Sequence, residues 1–336
     1  MISPNKNLTV AVIGSEGFLG NNVCRKLLAS GYKVKGLVFS DPKALEGLGM
    51  EQIVGDINNP EDLSSLITDA DIVINCVSDV LKPGQMAIDT SYADLAKTNI
   101  DGVTNIVNSC IQFKVKRLIH CSTIQALQQH PKDVKLNENR SYVDKSGYDY
   151  DRCKADGDKI VIAARERGLD AIIMIIGGML GPNDFKPTVS GQFIIDYSRE
   201  KKPVPNKGGY DWVDVRDVAE AIVNSIDKGG KNETYILNGK FYSMIELCTI
   251  MEEVLGKPVV KSKISVGFIK AILPLLSFIS KVSGKPPLYT KARLESLFIN
   301  EQISHEKAQK ELDYQPRPIK TTLTHAYKWF EAKGML

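Results

Sequence analysis

Two short motifs hold the residues of this chain whose types and spacing suit catalysis. Tyr150 and Lys154 lie four residues apart in the run Tyr-Asp-Arg-Cys-Lys, so on a helix their side chains share one face. A nearby ammonium stabilises the phenolate form of a tyrosine, which favours proton exchange at ordinary pH. The second motif, Gly14-Ser-Glu-Gly17-Phe-Leu-Gly20, has the glycine spacing that lets a pyrophosphate approach the backbone. Together the two motifs indicate hydride transfer to a carbonyl or from an alcohol.

The segments around these motifs alternate between strand and helix patterns. Short apolar runs rich in β-branched residues predict strands at 8–13, 34–39, 52–54, 72–77, 117–121, 171–176 and 234–237. Helical patterns are found at 18–29, 60–67, about 92–113, the segment that carries Tyr150, and 215–226. Apolar strands separated by helices are typical of a parallel sheet that is covered on both faces. We therefore expect an α/β fold with a doubly wound parallel sheet of the Rossmann type.

The regular alternation ends after Ile176, where glycines and prolines interrupt the pattern. We expect residues 1–178 to form a dinucleotide-binding domain, to which residues 213–239 return. Residues 179–212 and 240–336 are expected to form a smaller, mostly helical substrate-binding domain.

The composition is that of an ordinary globular protein. Of the 336 residues, 43% are apolar and 25% are charged, and the formal net charge is +3. The scattered basic residues give no support for nucleic-acid binding. Six cysteines without a C-x-x-C pair predict free thiols in a reducing compartment, and four histidines without metal-ligand spacing predict no metal site. The first residues lack the apolar segment of a signal peptide, so we expect a cytoplasmic protein.

Residues 264–282 form a long apolar stretch. Lys270, Pro274 and Lys281 lie inside it, and two charges together with a helix breaker argue against a membrane-spanning helix. A pair of buried helices is the interpretation we favour. The alternative is an apolar cap over the substrate entrance that touches a membrane surface.

The glycine motif follows a predicted strand and precedes a predicted helix, which is the setting of a dinucleotide site. Gly14 permits a tight turn, Gly17 brings the backbone close to the pyrophosphate, and Gly20 allows helix and strand to pack closely. The phosphates then meet free N–H groups at the helix start, where Phe18 and Leu19 stand. The alternative is a glycine turn that is purely structural.

The type of cofactor depends on the residues after the second strand. A site for NAD usually has an acidic side chain at that point to bind the ribose hydroxyls, whereas this chain has Val38 and Phe39. Ser40 and Lys43 are suited to bind a 2′-phosphate. The sequence therefore favours NADP as the cofactor, with NAD as the alternative.

Asp56, which follows the third strand, is placed to bind the adenine amino group, and Ile57 beside it is assigned to the same site. The alternative for Asp56 is to cap the helix that begins near Pro60. Both functions suit its chemistry, because an aspartate readily accepts hydrogen bonds from N–H groups at a helix start.

Further motifs extend along the chain: Gly55-Asp56, Asn99-Ile-Asp-Gly102-Val-Thr-Asn105, Ser122-Thr123, Gly181-Pro182, Trp212-Val-Asp-Val-Arg-Asp-Val-Ala and Glu311-Leu-Asp-Tyr-Gln-Pro-Arg317. With the two motifs above, they resemble the extended short-chain dehydrogenases/reductases of the NAD-dependent epimerase/dehydratase superfamily. The resemblance is nearest to the dihydroflavonol reductase and 3β-hydroxysteroid dehydrogenase group, and it spans nearly the whole chain.

The resemblance implies a role for each matched position. Tyr150 exchanges a proton with the substrate oxygen, while Lys154 stabilises its phenolate and holds the nicotinamide ribose. Thr123 binds the substrate oxygen, with Ser122 as the alternative, because either hydroxyl can donate one hydrogen bond. Asn99 fixes the helix beside the nicotinamide half of the cofactor, unless its side chain only bonds the local backbone.

The chain departs from its relatives at two places. Ile175 and Ile176 stand where relatives usually have Arg-Pro, just before the loop that follows the sixth strand, so backbone groups near Gly178 and Met179 are expected to meet the nicotinamide carboxamide. The residues after Thr123 lack the Val-Tyr-Gly of many nucleotide-sugar enzymes. The resemblance also implies a homodimer that pairs the helices around 95–113 and 150–164.

We therefore expect an NAD(P)(H)-dependent oxidoreductase that interconverts a carbonyl and a secondary alcohol on a fairly apolar small molecule, with Tyr150 as acid and base. One alternative is a nucleotide-sugar epimerase with tightly bound NAD. Another is a non-catalytic cofactor-binding scaffold or redox sensor on the same fold. The presence of both Tyr150 and Lys154 favours the enzyme over the scaffold.

Overall fold

The computed structural model describes residues 7–77, 90–283 and 289–336, with the backbone alone at 277, 279 and 281–283. The strands are β1 (Thr9–Ile13), β2 (Lys33–Val38), β3 (Glu51–Val54), β4 (Ile72–Asn75), β5 (Arg117–Thr123), β6 (Ala171–Ile176), β7 (Gly178–Leu180), β8 (Lys202–Pro205), β9 (Gly209–Asp214), β10 (Thr234–Leu237), β11 (Lys240–Ser243) and β12 (Val260–Ile264). The helices are α1 (Phe18–Ala29), α2 (Pro60–Ile67), α3 (Tyr92–Ala96), α4 (Val103–Gln112), α5 (Asp149–Glu166), α6 (Val189–Arg199), α7 (Val215–Lys228), α8 (Met244–Leu255), α9 (Val266–Ser283), α10 (Lys291–Glu295), α11 (Glu306–Leu312) and α12 (Ile319–Ala332).

Seven strands form one parallel sheet in the order β3-β2-β1-β4-β5-β6-β10. All the strands predicted from the sequence lie in it, so the doubly wound α/β fold is confirmed. The strand order reverses between β1 and β4. At such a point the loops that follow the two strands diverge and leave a crevice at the carboxyl edge of the sheet.

Apolar side chains cover both faces of this sheet. On one face α1, α7 and α11 pack with buried residues such as Leu27 and Ile222. On the other face α2, α4 and α5 pack with residues such as Leu66 and Val161. A strand that is covered on both faces has to be apolar throughout, which explains the run Ala-Ile-Ile-Met-Ile-Ile in β6. The sheet is therefore a firm frame for the loops at its carboxyl edge.

A third group of buried residues lies between Leu180 and Phe330 in the sequence. Here α12 packs on α6 and α8, beside a small sheet of order β11-β9-β7 and the strand pair β12-β8. These two small sheets were not predicted for the domain, which was expected to be mostly helical. Their strands are short and have lysine, tyrosine or proline between the apolar residues, so they lack the apolar runs from which the other strands were predicted. The bounds of the two domains stay a prediction.

The helix predicted at about 92–113 is divided into three helical segments. A π-helical turn, Lys97–Gly102, joins α3 to α4. Such wide turns inside helices are frequent at functional sites. Asn99 and Gly102 are buried within this turn.

Candidate functional site

The glycine motif forms a tight loop between β1 and α1. Gly14 has a φ of +75°, in the left-handed region that side chains disfavour, and its carbonyl accepts a hydrogen bond from the N–H of Gly17 at 3.1 Å. A Cβ on Gly20 would lie 2.0 Å from the carbonyl oxygen of Gly14, so only glycine fits there. A Cβ on Gly14 would lie 3.0 Å from the carbonyl carbon of Cys76, just after β4. The loop therefore lies at the crevice between β1 and β4.

The start of α1 has the features of an anion site. Gly17 occupies the N-cap position and has no side chain to bond the first N–H groups, and the first turn contains no acidic residue. Free N–H groups and the positive end of a helix dipole suit a pyrophosphate. The side chains of Phe18 and Leu19 pack against the core, so both residues face this site through their backbone. The loop thus fits the pyrophosphate of a dinucleotide.

Glu16 is part of the glycine loop, and its side chain reaches the end of β2. No role was predicted for it from the sequence. Its Oε2 accepts hydrogen bonds from the backbone N–H groups of Phe39, Ser40 and Asp41 at 3.1, 3.1 and 3.2 Å. The hydroxyl of Ser40 donates to Oε1 at 2.8 Å, and the Lys186 ammonium lies 3.2 Å from the same oxygen. Burial acts to raise the pKa of Glu16, but the hydrogen bonds from Ser40 and Asp41 and the charge of Lys186 lower it overall. A carboxylate therefore occupies the place where Ser40 was expected to bind a phosphate.

Lys43 lies on the same loop, in the short 3-10 helix Pro42–Leu45. Its N–H donates to Oδ1 of Asp41 at 3.0 Å, and Asp41 caps this helix. The side chain of Lys43 is exposed. The backbone of the loop is therefore fixed, while its lysine extends into solvent.

Asp56 follows β3, as predicted, but it does not cap α2. Its Oδ1 accepts hydrogen bonds from the backbone N–H and the side-chain amide of Asn58 at 2.9 and 3.0 Å. Asn59 caps α2 instead. The capping alternative for Asp56 is therefore wrong, and its contact with adenine stays a prediction. Ile57 is buried, and a Cβ on Gly102 would lie 2.4 Å from its Cδ1, so its side chain belongs to the core.

The proton-transfer pair predicted from the sequence lies in the first two turns of α5. Tyr150 is half-buried, and Lys154, one turn later, is 5% exposed. Asp158 follows one more turn along the same face and is fully buried. The helix therefore presents a phenol, an ammonium and a carboxylate in a row of increasing burial.

β5 ends at the two hydroxyl residues that the sequence left as alternatives, and their surroundings differ. The hydroxyl of buried Ser122 donates to Oδ2 of Asp158 at 2.6 Å. The hydroxyl oxygen of half-buried Thr123 accepts a hydrogen bond from the N–H of Gln125 at 3.3 Å. Ser122 therefore uses its proton in the core. The hydroxyl of Thr123 is the acceptor in its bond with Gln125, so this bond does not use its proton.

A buried polar network that the sequence did not predict lies beneath this pair. Nδ2 of Asn75, at the end of β4, lies 3.0 Å from Nδ1 of His120, whose Nε2 lies 3.3 Å from Oδ1 of Asp158. Burial lowers the pKa of His120 most strongly; the Asp158 carboxylate opposes this effect and the Lys154 ammonium adds to it. The imidazole is therefore neutral, accepts from Asn75 at Nδ1 and carries its proton on Nε2. Oδ1 of Asp158 lies near this nitrogen but has no hydrogen-bond partner among the described residues. This network joins β4, β5 and α5 next to Lys154.

Asn99 lies in the π-helical turn and is buried. Its side-chain amide donates to the carbonyl of Leu95 at 3.0 Å, which is the local backbone bond that the sequence offered as an alternative. A Cβ on Gly157 of α5 would lie 2.6 Å from the carbonyl oxygen of Asn99. The π-helical turn therefore packs backbone against backbone on α5, less than one turn from Lys154.

Gly178 and Met179 lie in β7. This strand pairs with β9, with Gly178 opposite Trp212 and Met179 opposite Val213. A Cβ on Gly178 would lie 3.0 Å from the carbonyl oxygen of Asp211. One edge of β7 is thus bonded to β9 in the small sheet. A contact of Gly178 or Met179 with the nicotinamide carboxamide stays a prediction.

A cavity of about 370 Å³ lies at the start of α5. Its lining combines polar and apolar side chains from distant parts of the chain, among them Gln125, Val143, Tyr148, Asp151, Glu295 and Phe298. Tyr148, which has no lysine four residues later, donates a hydrogen bond to Glu295 of α10, and burial raises its pKa. The cavity is therefore closed on one side by a bond between α5 and α10.

Asp151 is a further residue of this cavity that the sequence did not assign. Its Oδ1 is buried without a hydrogen-bond partner among the residues that the structure describes. Burial raises the pKa of Asp151 to about 7. A carboxyl group with a raised pKa therefore follows Tyr150 directly in the chain and lines this cavity.

Comparisons with known proteins agree with this geometry. The family model described as the NAD dependent epimerase/dehydratase family matches residues 10–237, more than half of the chain. That range includes the glycine loop, β5, α5 and the seven-stranded sheet.

Individual proteins match along nearly their whole length. The chain is 25% identical over 333 residues to sterol demethylase protein B of Methylococcus capsulatus, covering 98% of this chain and 100% of that protein. It is 25% identical over 330 residues to a dihydroflavonol 4-reductase-like protein of Synechocystis sp., covering 96% and 94%. The crystal structure of gox2253 superimposes with a TM-score of 0.84 at 27% identity, covering 98% of this chain and 100% of that chain.

Proposed function

This chain belongs to the NAD dependent epimerase/dehydratase family, and we propose that it interconverts a carbonyl and a secondary alcohol on a fairly apolar small molecule. It is an NAD(P)-dependent enzyme of the extended short-chain dehydrogenase/reductase superfamily, as the sequence predicted. The observation that carries the proposed reaction is the position of Tyr150 and Lys154 on α5, a helix that Asp158 bonds to the end of β5 beside Thr123.

Each of these residues has one task in the proposed reaction. Tyr150 donates its phenolic proton to the substrate oxygen as the alcohol forms, and accepts that proton in the reverse direction. Lys154 stabilises the phenolate that remains. Thr123 donates a hydrogen bond to the same oxygen and orients the carbonyl. When bound, the nicotinamide supplies or accepts the hydride.

The substrate class follows from the cavity and from the relatives. Val143, Phe298 and Ile299 supply apolar surface, and Gln125 and Asp151 supply polar groups that orient a ligand. The named relatives include a sterol demethylase protein and a dihydroflavonol 4-reductase-like protein. These observations support a fairly apolar ketone or alcohol as the substrate.

The choice between NADP and NAD turns on Glu16. The sequence favours NADP because of Ser40 and Lys43, but the N–H groups suited to a 2′-phosphate already bond the Glu16 carboxylate. That charge repels a phosphate, although Lys186 partly offsets it. A carboxylate near the end of β2 instead suits the free ribose hydroxyls of NAD. On this ground NAD(H) is the cofactor we propose.

Oxidation of NADH and NADPH in the presence of panels of ketones and aldehydes, including steroid and flavonoid ketones, tests the proposal. We expect turnover with at least one apolar ketone and a lower KM for NADH. If the protein binds NADH but turns over no carbonyl compound, the oxidoreductase proposal is refuted.

The alternative of a nucleotide-sugar epimerase makes a different prediction. An epimerase keeps its NAD through dialysis and converts nucleotide sugars without net consumption of cofactor. Analysis of the cofactor that copurifies with the protein therefore separates the two activities.

The homodimer through α4 and α5 and the cytoplasmic location also stay proposals. Light scattering after size exclusion tests the first, and a monomer at micromolar concentration would refute it. Fractionation of cells that produce the chain tests the second.

A further inference from the structure

α9 has an exposed apolar face. Of the seven large apolar side chains that are exposed among the described residues, three lie on this helix: Phe268 at 59%, Leu275 at 57% and Phe278 at 65%. With exposed Ala271 they are spaced by three, four and three residues, so they form one stripe along the helix. Ile269, on the opposite side, is buried. The buried helix pair favoured from the sequence is therefore wrong for this side of α9.

The segment around this apolar stripe is basic. Residues 252–295 contain seven lysines and one arginine against three acidic residues at the two ends, Glu252, Glu253 and Glu295, although 43 basic residues nearly balance 40 acidic ones in the whole chain. Lys261 and Lys263 are exposed on β12, immediately before α9. Glu200 approaches Lys261 from a neighbouring element, but it is paired with Lys202 at 2.5 Å. The surface beside the stripe therefore has a net positive charge.

We propose that the apolar stripe of α9 binds the surface of a bilayer that contains anionic lipids, with the neighbouring lysines on the lipid headgroups. An exposed apolar stripe with lysines beside it is typical of helices that lie in the membrane interface, and each lysine adds attraction to anionic headgroups. A second copy of this chain is a poorer occupant, because two equally basic surfaces repel each other.

The contact is peripheral. Lys270 and Pro274 lie within the 18 residues of α9, and neither suits the middle of a spanning helix. Across the part of the chain that the structure describes, no helix combines the length and apolar character needed to cross a bilayer. The stripe therefore binds by lying along the headgroup region, and the proposal is independent of the reaction that the protein catalyses.

Cosedimentation of the full chain with vesicles tests this proposal. Vesicles of phosphatidylcholine alone are compared with vesicles that also contain phosphatidylglycerol. We expect at least about tenfold stronger binding to the anionic vesicles, and weaker binding at high salt. Replacement of Phe268, Leu275 and Phe278 together by serine is expected to reduce binding at least about tenfold.

Two sets of controls identify the surface. Val134 and Val189 are exposed at 51% and 54% outside α9, and their replacement by serine is expected to leave binding unchanged. Lys257, Lys261 and Lys263→Gln should remove the preference for anionic vesicles, whereas Lys231, Lys310 and Lys328→Gln should keep it. NADH binding and the unfolding temperature of every variant show that it is folded.

The proposal is overturned if the wild-type chain sediments with neither kind of vesicle, or if the serine variant binds as strongly as the wild type. It is also overturned if light scattering shows that the serine substitutions convert a dimer to a monomer while the wild type binds no vesicles. That result would assign the stripe to a second copy of the chain.

Discussion

The glycine loop between β1 and α1 and the cavity at the start of α5 are built in different ways. In the loop, backbone packs on backbone: a Cβ on Gly20 would lie 2.0 Å from the carbonyl oxygen of Gly14. In the cavity, side chains from distant segments meet, as Tyr148 and Glu295 do across 147 residues of sequence. The loop has almost no free space, whereas the cavity has about 370 Å³. Asp151 lines this cavity, and its Oδ1 is buried without a hydrogen-bond partner among the described residues.

This difference indicates how the loop and the cavity each respond to substitutions. A surface made of backbone N–H groups recognises what all dinucleotides share and cannot be altered without moving the strand or the helix. A cavity made of side chains can be altered one residue at a time on an unchanged frame. We therefore expect large losses from substitutions at the reacting groups and in the loop, and graded changes around the cavity.

The largest effect is expected from Tyr150→Phe. Loss of the proton donor should lower kcat by about 10³-fold and leave the Kd for NADH unchanged, because the phenol ring keeps its place. Tyr148→Phe is the matched control in the cavity, where we expect mainly a change in KM. Steady-state kinetics and NADH titration check both. If Tyr148→Phe proved the inactive variant, the proton donor would lie on the cavity side instead.

Gly20→Ala tests the backbone packing of the loop. The added methyl group has to displace the carbonyl of Gly14, so we expect the Kd for NADH to rise by about 10²-fold and the unfolding free energy to fall by about 2 to 4 kcal/mol. Gly49→Ala is the control, since no atom lies within 4 Å of the added carbon there. Fluorescence titration and urea unfolding measure the two quantities. Equal behaviour of the two variants would contradict a tightly packed loop.

Substitution of the two hydroxyl residues separates catalysis from support of the fold. Thr123→Ala is expected to lower kcat/KM by about 10- to 100-fold at unchanged stability. Ser122→Ala removes a buried donor from Asp158, so we expect a loss of about 1 to 3 kcal/mol of stability and a small change in kcat. Kinetics and urea unfolding of both variants check this assignment. The reverse outcome would assign catalysis to Ser122 and support of the fold to Thr123.

Glu16→Gln tests the choice of cofactor. Removal of the negative charge near Ser40 should raise kcat/KM for NADPH relative to NADH by about tenfold. Glu46→Gln, an exposed acid close to the same loop, is the control and should leave the ratio unchanged. A wild-type protein that already prefers NADPH, with no response to Glu16→Gln, would contradict the role we give this carboxylate.

The smallest effect concerns the pH dependence of stability. The pKa of Asp151 is about 7 in the folded chain, because burial raises it from its ordinary value of 3.8. The folded state therefore binds more protons than the unfolded state between about pH 4 and pH 7, so the unfolding free energy falls as the pH rises through this range and levels off above it. Burial raises the pKa of Asp184 to about 7 and that of Asp211 to about 6, which adds to the same trend.

Asp151→Asn keeps a neutral side chain at every pH, so the fall in stability should become smaller, by about 1.4 kcal/mol for each pH unit that separates the two pKa values. Urea unfolding across this pH range measures it. An identical slope in the variant and the wild type would show that Asp151 titrates like an exposed carboxylate.

Much of the region around the glycine loop could be predicted, because the sequence patterns that mark it lie within short segments. The helix predicted at 18–29 has the bounds of α1, since Gly17 directly precedes it and Ser30 directly follows it. The glycine spacing and the apolar strand before it likewise lie in one short segment. Local patterns therefore sufficed for the fold and for the position of Tyr150 and Lys154.

The rest depends on contacts between residues that are far apart in sequence. Glu16 bonds N–H groups 23 to 25 residues away, and His120 meets an asparagine 45 residues earlier. No local pattern encodes such pairs, although a glutamate inside a glycine motif and polar residues at the ends of apolar strands are signals that point to them. The burial of Asp151 has no signal of this kind, because residues far away in the sequence, such as Glu295 and Phe298, line the same cavity.

The late position of β10 in the chain affects how the protein is made. β6 is buried at all six residues and pairs with β5 on one edge and with β10 on the other. During synthesis β6 leaves the ribosome long before β10, since residues 177–233 come between them. Until β10 arrives, the nascent chain exposes an apolar strand edge of the kind on which chains add to one another. We therefore expect a growing chain to be prone to aggregation in the interval between the synthesis of these two strands.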